Sequence, residues 1–373
     1  MGIYAKIPDT PKSVTRKLRY LPLSQPIRTK FQYSNIMYVV ATHLVETLTC
    51  VWMGDFLREK IWEPLNMKDT YFGLDAVKEH GAIDQLAKGY RWDKEKSCFA
   101  EVAWPVQPEG AGAGEMKSTA GDYAKFLRSM IRRTGPISKE GHEELVKPRT
   151  IVGDEPKPFH SHALYALGWE VETYHGETII GHDGSTSGFG CKMLYLPRLD
   201  WGMVIFGNTM GAYLAEETIC WAMIDDLLKV PEEERFDWDK QHEEDEEESE
   251  ECKTKEELYP KLPNTPIPLT LSLASYAGSY RNIGFGTLVV ECKDGMLEID
   301  ATDRTWRFTL SLKHVSGEFF IANLLDIDSF GKETFKAQFR IDPEGSVSEF
   351  GVSFMREMED EMIWFEKIEA DES

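Results

Sequence analysis

The sequence predicts a mixed α/β (α+β) domain followed by a small all-β barrel, and three observations carry that expectation. Helical and strand-like periodicities interleave over residues 1–230. Acids and prolines then dominate residues 231–268. About eight short strand-like segments, with no helical text between them, fill residues 269–373. A chain of 373 residues has room for two or three domains at ~150 residues each. With 42% hydrophobic residues and ten Trp it can bury a sizeable core.

Taken in order, Ile36, Val40, Leu44 and Leu48 recur every fourth residue, which is one face of a helix. Ser34 or Asn35 is placed to cap its start. Thr119 to Asp122 resembles a capping box, opening a helix that contains Tyr123, Phe126, Leu127 and Met130. A third helix is expected near 215–229, with Ile219, Met223, Leu227 and Leu228. Strand-like runs at 167–173, 177–182, 192–197 and 202–208 are separated by short turns, so they are expected to pair as antiparallel neighbours. In the last hundred residues, Asp294-Gly295 is a hairpin signal and Asp342-Pro-Glu-Gly345 a turn. Even spacing of short strands there predicts a closed antiparallel barrel.

Charge excludes some functions. Lys and Arg number 42 against 64 Asp and Glu, a net of −22. A nucleic-acid backbone binder is therefore not expected, nor a protein that docks electrostatically on anionic membrane. No apolar run approaches the ~20 residues of a spanning helix. Residues 231–260 hold 15 acids and 4 bases, half of the net charge. The run 241–251 reads as a disordered, solvated linker. The six cysteines are scattered without metal spacing, and reduced thiols are expected. The opening residues show no signal-peptide pattern, so a cytoplasmic location is expected.

Several chemical candidates fail on their own residues. His160-Ser-His162 has no acidic ligand at useful spacing, so no metal is expected. Gly110-Ala-Gly-Ala-Gly114 lacks the lysine of a phosphate loop and reads as a flexible loop or a close backbone approach. Gly184-Ser-Thr-Ser-Gly188 has Thr where a nucleophile elbow has Ser. No cofactor is implied. Two segments remain. Tyr33 and Asn35 precede a helix and can face a cleft together, a phenol to relay a proton and an amide to hold a carbonyl. Gly181-His182-Asp-Gly184-Ser185 ends a strand, where glycine lets a substrate lie along the edge and the next N–H can polarise a carbonyl.

With FQYSN followed by IMYVVATHLVE, AGAGEMKSTAGDYAKFLRSM, and YALGWEVE with IIGHDGSTSGFG, the chain resembles the serine β-lactamase/penicillin-binding-protein superfamily. It is most similar to its class C-like esterase and peptidase branch. The C-terminal hundred residues resemble the lipocalin-like domain carried by some members, notably fungal ones. The resemblance implies an antiparallel sheet flanked by helices over 1–230, the linker 231–268 and a barrel over 269–373. It implies Tyr33 as proton relay, Asn35, His182 and Gly184 as substrate-binding residues, and the Ser185 N–H as an oxyanion donor. It implies acyl transfer on a small ester or amide through a serine ester. Oligomeric state is left open.

The family nucleophile lies in Ser-x-x-Lys upstream of the tyrosine motif, where the lysine takes the serine proton. Here Ser13-Val-Thr-Arg16 has arginine, which keeps its proton. The one match, Ser329-Phe-Gly-Lys332, falls in the barrel region and reads as a hairpin loop. Two expectations follow: an active hydrolase whose Ser-x-x-Lys precedes this sequence, or a catalytically inactive binding module. Without a lysine cation nearby, Tyr33 is expected to titrate as an ordinary phenol near ~10. Histidine in place of the family lysine weakens recognition of a free carboxylate.

Overall fold

The computed structural model describes residues 9–94, 96–153, 156–250, 253–329, 331–355, 358 and 361–369, with backbone alone over 245–250. The chain divides into two compact units. One is Pro26–Glu244; the other joins the residues up to Gln25 to Asp245–Ser373.

The Pro26–Glu244 unit is built on a six-stranded antiparallel sheet. From one edge its strands are Trp201–Gly207, Phe189–Leu196, Glu177–Thr186, Glu170–Tyr174, Leu164–Tyr165 and Thr150–Ile151. Side chains alternate across it, as the two-residue period of a strand dictates. Ile179, Leu194 and Leu196 face Cys220, Trp221 and Ile224 of the helix Ala212–Leu228. Ile180, Tyr195 and Val171 face Leu127 and Met130 of the helix Ala120–Arg132. Covering both faces accounts for the near-continuous apolar text of the central strands; each fully buried Leu or Ile contributes roughly 1.5–3 kcal/mol. Thr119 caps Ala120–Arg132 by accepting from the Asp122 N–H. The box is not reciprocal, because the Asp122 carboxylate accepts from Asp69 N–H and Thr70 and pairs with Lys125.

The sheet edge at Trp201–Gly207 pairs with Phe189–Leu196 and, among the described residues, with no further strand. Beside it the helix Ala212–Leu228, expected near 215–229, exposes Ile219, Met223 and Leu227. In the helix Asn35–Thr49 only the start of the expected apolar row is buried. Its buried positions are Ile36, Val39 and Thr42, while Leu44 and Leu48 are exposed. Small residues decide this: a Cβ on Gly112 would lie 2.2 Å from the Tyr38 carbonyl oxygen and 2.3 Å from Thr42 Oγ1. The short helix Ala111–Gly114 therefore presses on the Tyr38/Thr42 face, and the glycine-rich run is a close backbone approach.

In the second unit eight antiparallel strands, from Gly278–Asn282 to Ile363–Ile368, close a barrel in sequential order. Its interior is filled by aromatic rings. Tyr276, Tyr280, Phe320, Phe339 and Phe350 are fully buried and pack at centroid distances of 4.9–6.2 Å. Asp294 and Gly295 both take positive φ, the hairpin geometry their sequence foretold. Leu21 fills the space left by Gly284, a contact within this unit.

The acidic run expected to be disordered is instead helical, Trp238–Glu250. Asp237 accepts from the Lys240 N–H at its start, and Lys240 pairs with Glu244 one turn on. Glutamate is a good helix former, and anchoring the first turn through Trp238, stacked on Trp221 at 5.4 Å, removes the nucleation cost. The described cysteines are all free. Among the described residues no group of His, Cys, Asp and Glu has metal-holding geometry.

Candidate functional site

Asn35 begins its helix, and Ser34 occupies the capping position without a side-chain capping bond. Tyr33, just before the helix, lays its ring toward His182 of the strand Glu177–Thr186. Tyr33 Oη lies 3.4 Å from Asn35 Oδ1, and its ring lies 5.9 Å from that of His182. Two sequence motifs separated by nearly 150 residues meet here. Two further tyrosines join them. Tyr38, one turn into the Asn35 helix, hydrogen-bonds Tyr165, and Tyr165 Oη is 2.9 Å from His182 Nε2. Tyr165 is buried, with Phe31 against it at 5.1 Å. Sequence reasoning missed both. Tyr165 lies in the YALGWE run, where its spacing to Trp169 was visible but its partner was not.

The strand carrying His182 outruns its neighbour. Glu170–Tyr174 pairs with it only as far as Gly181, so residues 182–186 have Phe189–Leu196 on one side and an open edge on the other. Hydrogen-bonded and non-bonded pairs alternate along an antiparallel ladder. Counting from the two-residue turns that close Thr186 on Phe189 and Tyr174 on Glu177, both ladders direct the Ser185 N–H to the open edge. Gly188 makes the tip possible: its φ is +81°, and a Cβ there would lie 2.4 Å from Val102 Cγ2. Gly184 sits over Cys191, whose Sγ would be 3.1 Å from an added Cβ. A cavity of about 260 Å³ reaches the strand from the opposite sheet face, lined by Glu170, Glu172, Asp183, Lys192 and Glu217.

The electrostatics correct one expectation. Tyr33 is not an ordinary phenol: partial burial, then the nearby Tyr38, Asp183 and Glu170, push it up to about 12. Those neighbours are all acidic groups, so each favours the neutral phenol. Burial and the Tyr38 hydroxyl raise Tyr165 further. Surrounding protein and the Asp183 carboxylate hold Glu170 above the usual carboxylate range. Ser329 and Lys332 lie where the sequence placed them, flanking the turn between barrel strands Phe319–Asp326 and Lys332–Ile341. The Asp326 carboxylate caps that turn, accepting from the Asp328 and Ser329 N–H groups, and Ser329 Oγ accepts from the Gly331 N–H.

A two-faced antiparallel sheet, with a tyrosine–amide motif opposite an H-x-G strand end, is the arrangement of the beta-lactamase and penicillin-binding-protein fold. The chain belongs to the beta-lactamase family, whose description "Beta-lactamase" matches residues 2–219. Residues 262–367 match a domain of unknown function, DUF3471. The unguisins hydrolase ungD' of Aspergillus campestris is 33% identical over 98% of this chain and 69% of its own length. Its namesake ungD from Aspergillus violaceofuscus is 31% identical, spanning 100% of this chain and 70% of that protein. Among solved structures, the octameric penicillin-binding protein homologue from Pyrococcus abyssi superposes with a TM-score of 0.53 at 21% identity. That alignment covers 96% of this chain and 70% of the homologue, and it speaks for the fold. The chain is thus a member of a beta-lactamase-like serine hydrolase family with a C-terminal eight-stranded barrel.

Proposed function

We propose that Tyr33, Asn35, His182, Gly184 and the Ser185 N–H are one half of an acyl-transfer site acting on a small ester or amide. The observation that supports this most is the meeting of the Tyr33–Asn35 pair with the open edge that carries His182 and the Ser185 N–H. In this reading the Asn35 amide and the Gly184 edge hold the acyl part of the substrate. A serine oxygen adds to its carbonyl carbon as the serine proton passes to the lysine of the Ser-x-x-Lys that supplies it, the carbonyl π pair moves to oxygen, and the Ser185 N–H stabilises that oxyanion. Tyr33 then passes a proton to the departing alcohol or amine as the C–O or C–N bond breaks, and takes back the serine's proton from that lysine. Water or another acceptor then releases the acyl group. Two relatives named unguisins hydrolases support hydrolysis as the outcome, with transesterification the variant in which an alcohol replaces water.

The nucleophile itself is assigned to no residue of these 373. Ser-x-x-Lys occurs once, in the barrel turn, and the charges acting on Tyr33 are all acidic. A second reading follows from that observation: this chain alone binds acyl-type ligands without turning them over. Fluorophosphonate and penicillin-type probes test it. We expect no covalent adduct, and no p-nitrophenyl ester turnover above a Tyr33→Phe control. Adding a Ser-x-x-Lys-bearing segment of a relative is expected to switch both signals on. An adduct on a serine of this chain, lost when that serine is replaced, would overturn the unassigned nucleophile. Asn35→Ala is expected to abolish binding of a neutral amide ligand; unchanged binding would overturn the site.

A further inference from the structure

Three hydrogen bonds around His182 take one consistent direction when its ring carries a single hydrogen. His182 Nδ1 lies 2.6 Å from the carbonyl oxygen of Asp183. A carbonyl oxygen only accepts, so Nδ1 carries the hydrogen. In the neutral ring Nε2 then has a lone pair and no hydrogen. Tyr165 Oη, 2.9 Å away, must donate to it. With its own hydrogen committed, Tyr165 can only accept from the Tyr38 hydroxyl. The chain therefore runs Tyr38 O–H to Tyr165, Tyr165 O–H to His182 Nε2, and His182 Nδ1–H to the Asp183 carbonyl. Tyr33 stands outside it: its ring contacts His182, Tyr38 and Tyr165, but its hydroxyl points to Asn35.

We infer that Tyr165 is a positioning residue that fixes the His182 ring in its Nδ1–H tautomer, with Nε2 already occupied, and so selects substrates that carry no free carboxylate beside the scissile bond. This rests on the site reading above. A substrate carboxylate needs a donor or a cation at the position where His182 stands. The chain offers neither, because Nε2 faces Tyr165 as an acceptor and Nδ1–H is spent on the backbone. Glu170, which interacts with His182, and Asp183, which like Glu170 acts on Tyr33, add repulsion. An amide or ester group internal to a longer acyl chain meets no such penalty and can use the Asn35 amide and the Ser185 N–H. Tyr38 completes the device by orienting the Tyr165 hydroxyl, which packing alone leaves free to rotate.

The test pairs a tautomer measurement with two probes on the full chain. Two-bond ¹⁵N–¹H correlation spectra of the neutral protein are expected to show His182 protonated at Nδ1 and bare at Nε2. N-acetyl-phenylalaninamide is expected to bind at least about tenfold more tightly than N-acetyl-phenylalanine, the loss expected for an unpaired charged group. Tyr165→Phe keeps the ring packed and removes the donor. It is expected to leave Nε2 without its partner, so that the ring can turn a donor to the ligand, and to bring the two affinities within about threefold, mostly through a gain for the carboxylate. Tyr38→Phe is expected to fall between. A wild-type His182 protonated at Nε2 would overturn the assigned chain. Unchanged discrimination in Tyr165→Phe, with an intact amide fingerprint spectrum, would overturn the selecting role. If the tautomer is as assigned but neither probe shifts His182, Tyr33 or Asn35, the site reading itself fails and takes the selection with it.

Discussion

Glu216→Gln isolates a buried charge behind the site. Glu216 is 3% exposed on the helix Ala212–Leu228, and its carboxyl covers Gly190 and Gly207, which pair directly across the sheet. A Cβ on Gly190 would lie 2.9 Å from Glu216 Oε1, so the carboxyl sits on bare backbone. Oε1 has no hydrogen-bond partner. Burial raises the group from 4.5 to about 7, with Asp183 and Glu217 adding to the rise and the Gly207 backbone and Lys192 opposing it. Between these values the folded chain keeps a proton that the unfolded chain has lost, so stability falls as pH rises. Below 4.5 both states are protonated and the penalty vanishes; above 7 both are ionised and it is complete. A difference of about 2.5 units corresponds to about 3 kcal/mol. The glutamine variant keeps the shape and cannot ionise. Urea unfolding of both proteins at pH 4.5 and pH 8, followed by tryptophan fluorescence, is the assay. The difference between them is expected to shift by about 3 kcal/mol toward the variant at pH 8, other groups cancelling. Parallel pH profiles would show that the carboxylate is solvated or paired, and the argument from burial would fall.

Two further outcomes follow from the same geometry. Subtracting the ultraviolet pH titration of Tyr33→Phe from that of the parent is expected to isolate a phenol ionising at about 12; a value near ~10 would return Tyr33 to an ordinary solvent-exposed phenol. Gly112→Ala is expected to cost about 1–3 kcal/mol, because the clash at 2.2 Å is with Tyr38 backbone and cannot be relieved by a rotamer change. Calorimetry showing an unchanged transition for the Pro26–Glu244 unit would mean that the glycine-rich helix does not bear on the Tyr38 face.

Local chemistry was legible in the sequence where a residue acts on its neighbours. The start of the Asn35 helix, the Thr119 cap, the Asp294-Gly295 hairpin and the strand ending at His182-Asp-Gly184 were all visible. What was hidden depends on partners far along the chain. Helical spacing marked Leu44 and Leu48 as buried, but the buried face is set by Ala111 and Gly112, which let a second helix touch Tyr38 and Thr42. Tyr165 gave no signal because its meaning lies in Tyr38, 127 residues earlier, and in His182. The acidic run was misread because net charge was weighed without the Trp238 anchor that starts its helix. The titration of Tyr33 was misjudged for a related reason. Absence of a cation was counted, while the acidic groups brought beside it by folding were not.

Among the described residues, the strand Trp201–Gly207 leaves a row of peptide groups with water as the alternative to a neighbouring backbone, next to the exposed Ile219, Met223 and Leu227. Such a margin makes protein concentration an experimental variable. Dilute chains hydrate it; concentrated chains can satisfy it with each other, margin to margin, since the ladder is indifferent to the identity of the strand that completes it. Light scattering across a dilution series would then precede any kinetic or calorimetric comparison. A substitution on that strand that changed an apparent affinity could have acted on the population of paired chains and not on the ligand site.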